Sequence, residues 1–177
     1  AEQNVEEYKR SQGLTDLQAD LARTMQMSSQ YEQQLVEVES QLSIVKSLRD
    51  YVNNPANVDQ PIPVNIGIED PTLNATISEY NRLLLQRQRL AQSVTPDNPV
   101  MRKLEDEIAG LRTSINSSIN SVLQGLTTRR RDLMNQSNLY SGRIGSMPTQ
   151  EREFLDLSRE QQIKANLFLM LLQKREE

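Results

Sequence analysis

Between Val5 and Val52 a stripe position returns every three or four residues. The ladder reads Leu14, Leu17, Leu21, Thr24, Ser28, Tyr31, Leu35, Val38, Leu42, Val45, Arg49 and Val52. Alternating steps of three and four keep one stripe on one side of a helix, as in the seam of a coiled coil or a long packed hairpin. Thr24 and Ser28 weaken that seam in its middle. At 1.5 Å per residue, a rod of about forty residues reaches ~60 Å.

The helical period then breaks in "NNPANVDQPIPVNIGIEDPTLN", where Pro55, Pro61, Pro63 and Pro71 cannot sit inside a helix. Ile62, Val64, Ile66 and Ile68 alternate with Pro63, Asn65 and Gly67. That period of two predicts an extended crossing over 53–70, laid against an apolar surface, with one short strand as its most ordered form. Asp70 then caps a new helix with Pro71 at its first position. This helix, 72–93, carries Leu73, Ile77, Tyr80, Leu84, Leu85 and Leu90 and weakens near Val94. In "SVTPDNPVMRKLEDEI", Asp97 or Asn98 caps the next helix and Pro99 enters its first turn.

From Met101 the ladder resumes through Leu104, Ile108, Leu111, Ile115, Ile119, Val122 and Leu126, and continues at sevens to Leu133 and Tyr140. Arg129 or Arg130 and Ser137 dilute this second rod, 99–140, and the run "SINSSINS" lies mainly off its seam. Gly142 and Gly145 end it. Pro148 opens a last helix, 148–177, with a stripe of Phe154, Leu157, Ile163, Leu167 and Met170 or Leu171. The stripe widens into "LFLMLL", which reads as a helix buried between two others, with a subunit contact or the approach to a membrane as alternatives. Two rods of matched length joined by a folded crossing predict an all-α chain. Its expected form is an elongated antiparallel helical hairpin of coiled-coil-like rods, with an additional C-terminal helix and a short extended segment, in a single domain over 1–177.

Composition narrows the function. Aromatic residues are 4% of the chain and tryptophan is absent, as suits helices that each bury one stripe. A net charge of -4 with interspersed signs makes nucleic acid a poor partner. The one basic run, Arg129 to Arg131, points three ways from a helix and reads as a solvated face. With neither cysteine nor histidine, disulfides, zinc sites and catalysis by those residues are excluded within these 177 residues. No run approaches the ~18 apolar residues of a membrane span. Both ends, "AEQNVEEYKRSQ" and "LLQKREE", read as cut from something longer.

No GxxxxGK[ST] or GxGxxG loop is present, and the serines lack a histidine partner. Glu105, Asp106 and Glu107, and Glu151 and Glu153, read as solvated acids, the latter two favoured near a helix start. Arg159 lies beside the stripe residue Leu157 and reads as a guanidinium paired to an acid on a neighbouring helix or subunit. Tyr80 reads as a stripe aromatic with a wet hydroxyl. No catalytic, cofactor or metal residue is expected. The last helix is built for packing, so its role is reach, assembly and coupling.

The pattern "P-x-x-E-R-E-F-L-x-L-x-R-E-Q-Q-I-K-x-x-L-F-x-x-L-L-Q-K-R-E-E" closely resembles the C-terminal extracytoplasmic helix of polysaccharide co-polymerases. These are the Wzz-like chain-length determinants and the bacterial tyrosine autokinases of capsule and exopolysaccharide export. It falls on Pro148, Glu151, Arg152, Phe154, Leu157, Arg159, Gln162, Ile163, Leu167, Phe168, Leu171, Leu172 and Glu176. The family often has tyrosine where Phe168 stands. Upstream, the stretch from Ile62 to Ile115 resembles the kinase branch found in Bacteroidetes, through Tyr80, Asn81, Leu84, Arg89, Leu90, Asn98 and Pro99. The first rod resembles the family only in coiled-coil character.

The resemblance implies a periplasmic oligomerisation and spacer domain of an inner-membrane protein that regulates polysaccharide chain length and export. The flanking transmembrane helices would lie outside this chain, as would the ATP-binding domain of a tyrosine-protein kinase. Implied partners are further copies of the protein, a polysaccharide polymerase and an outer-membrane export protein. The implied packing and assembly residues are Arg159, Phe154, Leu157, Leu167, Phe168, Leu171, Tyr80 and Asn81. A second reading is a periplasmic adaptor hairpin of an efflux or secretion system. Such adaptors flank the hairpin with lipoyl-like and barrel strands, which are absent here, and have no place for the last helix. A third, a cytoplasmic coiled-coil scaffold, leaves the Ile62 to Ile68 alternation and the C-terminal motif unexplained.

Overall fold

The structure, a computed structural model, describes residues 2–64, 66–146, 156–157, 160–161 and 163–168, with side chains of the first helix described from residue 15. The fold is an all-α helical hairpin. Helix α1 runs Glu2–Asn53, a single 3-10 turn follows at Pro55–Asn57, α2 runs Pro71–Leu90 and α3 runs Pro99–Gly145. The chain divides into two compact units, Gln34–Leu133 and Ala1–Gln33 with Met134–Glu177.

In the unit Gln34–Leu133, the end of α1, all of α2 and the start of α3 pack around one apolar cluster. Val45, Leu48 and Val52 come from α1, and Leu73, Ile77, Tyr80 and Leu84 from α2. Ile115 and Ile119 come from α3, and Ile62 and Ile68 from the crossing. Each fully buried aliphatic side chain contributes ~1.5–3 kcal/mol relative to leaving it in water. Pair contacts fix the helix directions. Glu39 meets Arg130 while Val52 meets Arg112, so α1 and α3 are antiparallel. Tyr80 meets Arg112 while Arg87 meets Glu105, so α2 and α3 are antiparallel too.

Both expected caps are present. Asp70 Oδ1 accepts from the Leu73 N–H at 2.7 Å, with Pro71 in the first turn of α2. Asn98 Oδ1 accepts from the Val100 N–H at 2.9 Å, with Pro99 opening α3. Each satisfies a donor that the helix start leaves without an intrahelical partner.

The structure corrects the ladders at several points. Leu48, not Arg49, carries the α1 seam between Val45 and Val52. Arg49 instead reaches Asp50 at 3.1 Å, since an apolar side chain one position earlier can fill the seam without a buried charge. In α2, Leu83 is buried and Leu85 is exposed, because Leu73, Ile77, Tyr80, Leu84 and Leu83 already fill the inward arc. Helix α2 ends at Leu90, with Arg87 and Arg89 in its last turn, where positive charge suits the helix dipole, and turns lead on to Asn98. Helix α3 continues through Gly142 to Gly145, since a single glycine costs an interior helical position only ~1 kcal/mol. Among the arginines 129–131, Arg129 and Arg131 are exposed, while Arg130 is half-buried with its Nε 3.3 Å from Glu39 Oε1. That Nε makes no hydrogen bond, so the contact is an ionic one with poor alignment.

No described residue of the crossing forms a strand. Ile62 and Ile68 are buried as the alternation predicts, Ile66 is partly covered and Val64 is exposed. Asn65 lies outside the described residues. Gly67 has φ +90°, a left-handed conformation that glycine takes without the Cβ penalty and that interrupts an extended run.

In the other unit, Leu21 and Ser28 of α1 are buried. Tyr31 stacks on Tyr140 of α3 with ring centroids 5.5 Å apart and planes at 25°. The Arg143 guanidinium lies 5.5 Å from the Tyr140 ring centre, a cation–π distance. Of the expected last helix, 148–177, residues 163–168 are helical, as are 156–157 and 160–161, and the rest lies outside the described residues. Among the described residues, no helix is long and apolar enough to cross a membrane.

Candidate functional site

The crossing is the unusual part of the hairpin, because beyond the 3-10 turn at Pro55–Asn57 its described backbone has no helix or sheet ladder to satisfy it. An unpaired backbone group away from water costs as much as a lost hydrogen bond. Here side chains from all three helices supply the partners. From α1, Gln41 Nε2 donates to the Gly67 carbonyl at 2.7 Å and the Tyr51 hydroxyl donates to the Pro61 carbonyl at 2.9 Å. From α2, Asn74 Nδ2 donates to the Ile68 carbonyl at 3.0 Å.

Asn81 does more. Its Oδ1 accepts from the Ile62 N–H and its Nδ2 donates to the Ile62 carbonyl, both at 2.8 Å. The side-chain amide thus pairs with Ile62 as a neighbouring strand would, with both exchanges made by one residue. Ile62 is thereby held with its side chain in the core, 2% exposed.

Tyr80, one residue earlier, is fully buried. Its hydroxyl donates to the Val58 carbonyl at 3.0 Å and accepts from Arg112 Nη1 at 2.9 Å. The expectation of a wet hydroxyl is therefore corrected. The ring sits too deep for the hydroxyl to reach solvent, so the crossing and α3 provide its partners. Arg112 also donates from Nη1 to the Val58 carbonyl at 3.1 Å and from Nη2 to the Val52 carbonyl near the end of α1. One planar guanidinium thus joins the carbonyl end of α1, the crossing and α2. Arg87 adds an ionic bridge, with Nη1 2.9 Å from Asp59 of the crossing and Nε 3.3 Å from Glu105 of α3. Beside it lies an open groove of ≈ 570 Å³, with Leu84 and Met101 as apolar floor and Asp59, Arg87 and Glu105 at its edge.

The Arg82 guanidinium, hydrogen-bonded to Glu79 at 2.6 Å, holds that carboxyl below the usual carboxylate range. The same bond raises Arg82.

Of the residues singled out in the sequence, Tyr80 and Asn81 come together in this clasp. Arg159, Phe154 and Leu171 lie outside the described residues. Leu157, Leu167 and Phe168 are described and exposed, at 59%, 56% and 63%. That corrects the reading of "LFLMLL" as buried between two helices for its first two residues, Leu167 and Phe168, which stay more than half exposed. Arg112, Gln41 and Tyr51 were missed. Arg112 directly follows the seam residue Leu111, as Arg159 stands two residues after the stripe residue Leu157, and an arginine close to a stripe is the signal that could have found it. Comparison with family models, curated proteins and solved structures finds no match for this chain.

Proposed function

We propose that this chain is the periplasmic oligomerisation and spacer domain of an inner-membrane protein that regulates polysaccharide chain length and export. In this reading it is the extracytoplasmic part of a tyrosine autokinase, with membrane anchors and kinase domain outside these 177 residues. It does no chemistry itself. It sets a distance and offers a face to further copies, and through them to the polymerase and the outer-membrane export protein.

The observation that supports this reading is the exposure of Leu157, Ile163, Leu167 and Phe168, at 56–63% each. Ile163 and Leu167 stand four apart in a helical stretch and share a face. Large apolar side chains grouped on one surface mark a protein contact. These four also belong to the motif that resembles the co-polymerase helix, where assembly is the implied role. The clasped crossing supports the spacer half of the proposal, since a hairpin held at its turn by all three helices transmits position rather than yielding.

The test is made in the membrane-anchored protein. Deleting 148–177, or replacing Arg159 with glutamate, should reduce crosslinked oligomers and change polymer length on a gel while the hairpin stays helical by circular dichroism. Unchanged oligomers and unchanged polymer length after the deletion would rule the proposal out.

A further inference from the structure

A second groove, of ≈ 470 Å³, lies in the unit formed by Ala1–Gln33 and Met134–Glu177. Asp20, Arg23 and Thr24 line it from α1, and Tyr140, Arg143 and Ser146 from α3 and the residue after it. Its size falls within the range of small-molecule sites. Among the described residues Arg23 and Arg143 make no ion pair, and the Arg143 guanidinium lies over the Tyr140 ring. Two guanidiniums against the single Asp20 carboxylate leave the groove with a net positive charge, and their planar forks match a further carboxylate.

The Tyr140 hydroxyl can donate or accept, and the oxygens of Thr24, Ser146 and Asp20 restrict the ligand further. The Thr24 hydroxyl spends its proton on the Asp20 carbonyl at 2.8 Å. The Ser146 hydroxyl spends its proton on the Arg143 carbonyl at 3.1 Å. Both oxygens therefore present lone pairs only, and the Asp20 carboxylate is likewise an acceptor. A simple anion would satisfy the arginines and leave these three acceptors facing it without protons. A neutral polyol would satisfy the acceptors, and its hydroxyl oxygens would accept from the guanidiniums, but it would leave their positive charge uncompensated. A ligand carrying a carboxylate together with several hydroxyls satisfies both sets.

We infer that this groove binds a hydroxylated carboxylic acid of monosaccharide size, the chemistry of a hexuronate. Arg23 and Arg143 take its carboxylate, and Asp20, Thr24 and Ser146 take protons from its hydroxyls. The inference stands on the groove alone and is independent of the assembly role proposed above.

Titration of the chain with glucuronate, followed by NMR shift changes or calorimetry, tests it. Saturable binding is expected, with glucose, acetate and inorganic phosphate each weaker by about tenfold or more, the loss of at least one charge-assisted bond. Arg23→Gln, an exposed change that leaves the helix melt unaltered, should weaken glucuronate by about tenfold. Asp20→Asn should narrow the gap between glucuronate and acetate. Tighter binding of a uronate oligomer than of the monomer would assign the site to a sugar within a polymer; the reverse would assign it to a free acid. Glucose or acetate binding as tightly as glucuronate would overturn the inference. So would an Arg23→Gln variant with undiminished binding, or no saturable binding of glucuronate or its oligomer.

Discussion

Replacing Asn81 with aspartate separates the clasp from simple packing. Asparagine gives Ile62 one donor and one acceptor, each at 2.8 Å. Aspartate keeps the shape, but its ionised form has acceptors only. One oxygen still receives the Ile62 N–H, while the other faces the Ile62 carbonyl with no proton between them. An orphaned, partly buried carbonyl costs ~1–3 kcal/mol, and the opposed oxygens raise the total to ~2–4 kcal/mol at neutral pH. For a chain of this size that lowers the melting temperature by about 5–15 °C. Protonation supplies the missing hydrogen, because a neutral carboxyl donates and accepts as the amide does. The folded-state pKa of Asp in the variant is therefore raised above its unfolded value. The stabilisation it recovers is fully present below the unfolded pKa and is lost as pH rises through the folded pKa. The deficit relative to the parent chain should thus shrink as pH falls through the carboxylate range. Comparison with the parent at each pH cancels the opposite contribution of Glu79, whose lowered pKa loses stability on acidification. Thermal melts by far-UV circular dichroism, with Asn81→Ala as the control that loses both bonds at every pH, provide the measurement. A deficit that holds constant or widens at low pH would refute the pairing, as would one below ~0.5 kcal/mol at neutral pH.

Three further outcomes follow from the core and the crossing. Ile115→Asp places a charge at a fully buried position and should cost ~3–5 kcal/mol in denaturant titration, whereas Ser117→Asp on the exposed side should stay within ~0.5 kcal/mol. Arg112→Met removes the partner of the Val52 and Val58 carbonyls and the Tyr80 hydroxyl, costing ~2–4 kcal/mol, and lysine should recover less than half of it. Gly67→Ala imposes a Cβ on a φ of +90°, 3.4 Å from Ile44 Cδ1, and should lower stability by ~1–2 kcal/mol, with faster amide exchange along the crossing.

The helices were legible because a seam repeats. Met101, Leu104, Ile115 and Ile119 were read from spacing alone and are buried. The Asp70 and Asn98 caps were read from local chemistry that acts over three residues. Leu48 was lost to Arg49 because the alternation of steps was carried one rung too far. The crossing was half-legible. Its period of two located Ile62 and Ile68 in the core, but alternation alone does not reveal whether a strand or a side-chain amide satisfies the backbone. Asn81 drew attention only through the resemblance. Its chemistry depends on a partner nineteen positions away that no local pattern announces. Arg112 acts over sixty residues, on the Val52 carbonyl, and an arginine next to a seam looks the same whether it is solvated or clasped.

The central claim is that copies of this chain assemble through the exposed stripe of its C-terminal segment. The most direct measurement is the oligomer mass of the membrane-anchored protein, solubilised intact and weighed by native mass measurement. A Leu167→Asp, Phe168→Asp variant is set beside a Ser117→Asp control. Aspartate at two positions that are 56% and 63% exposed in the single chain should leave its fold unchanged, so any effect reports on contacts between copies. The account predicts a defined oligomer for the parent and the control, and smaller species for the double variant. Identical oligomers from all three, or a parent protein that is monomeric, would contradict it.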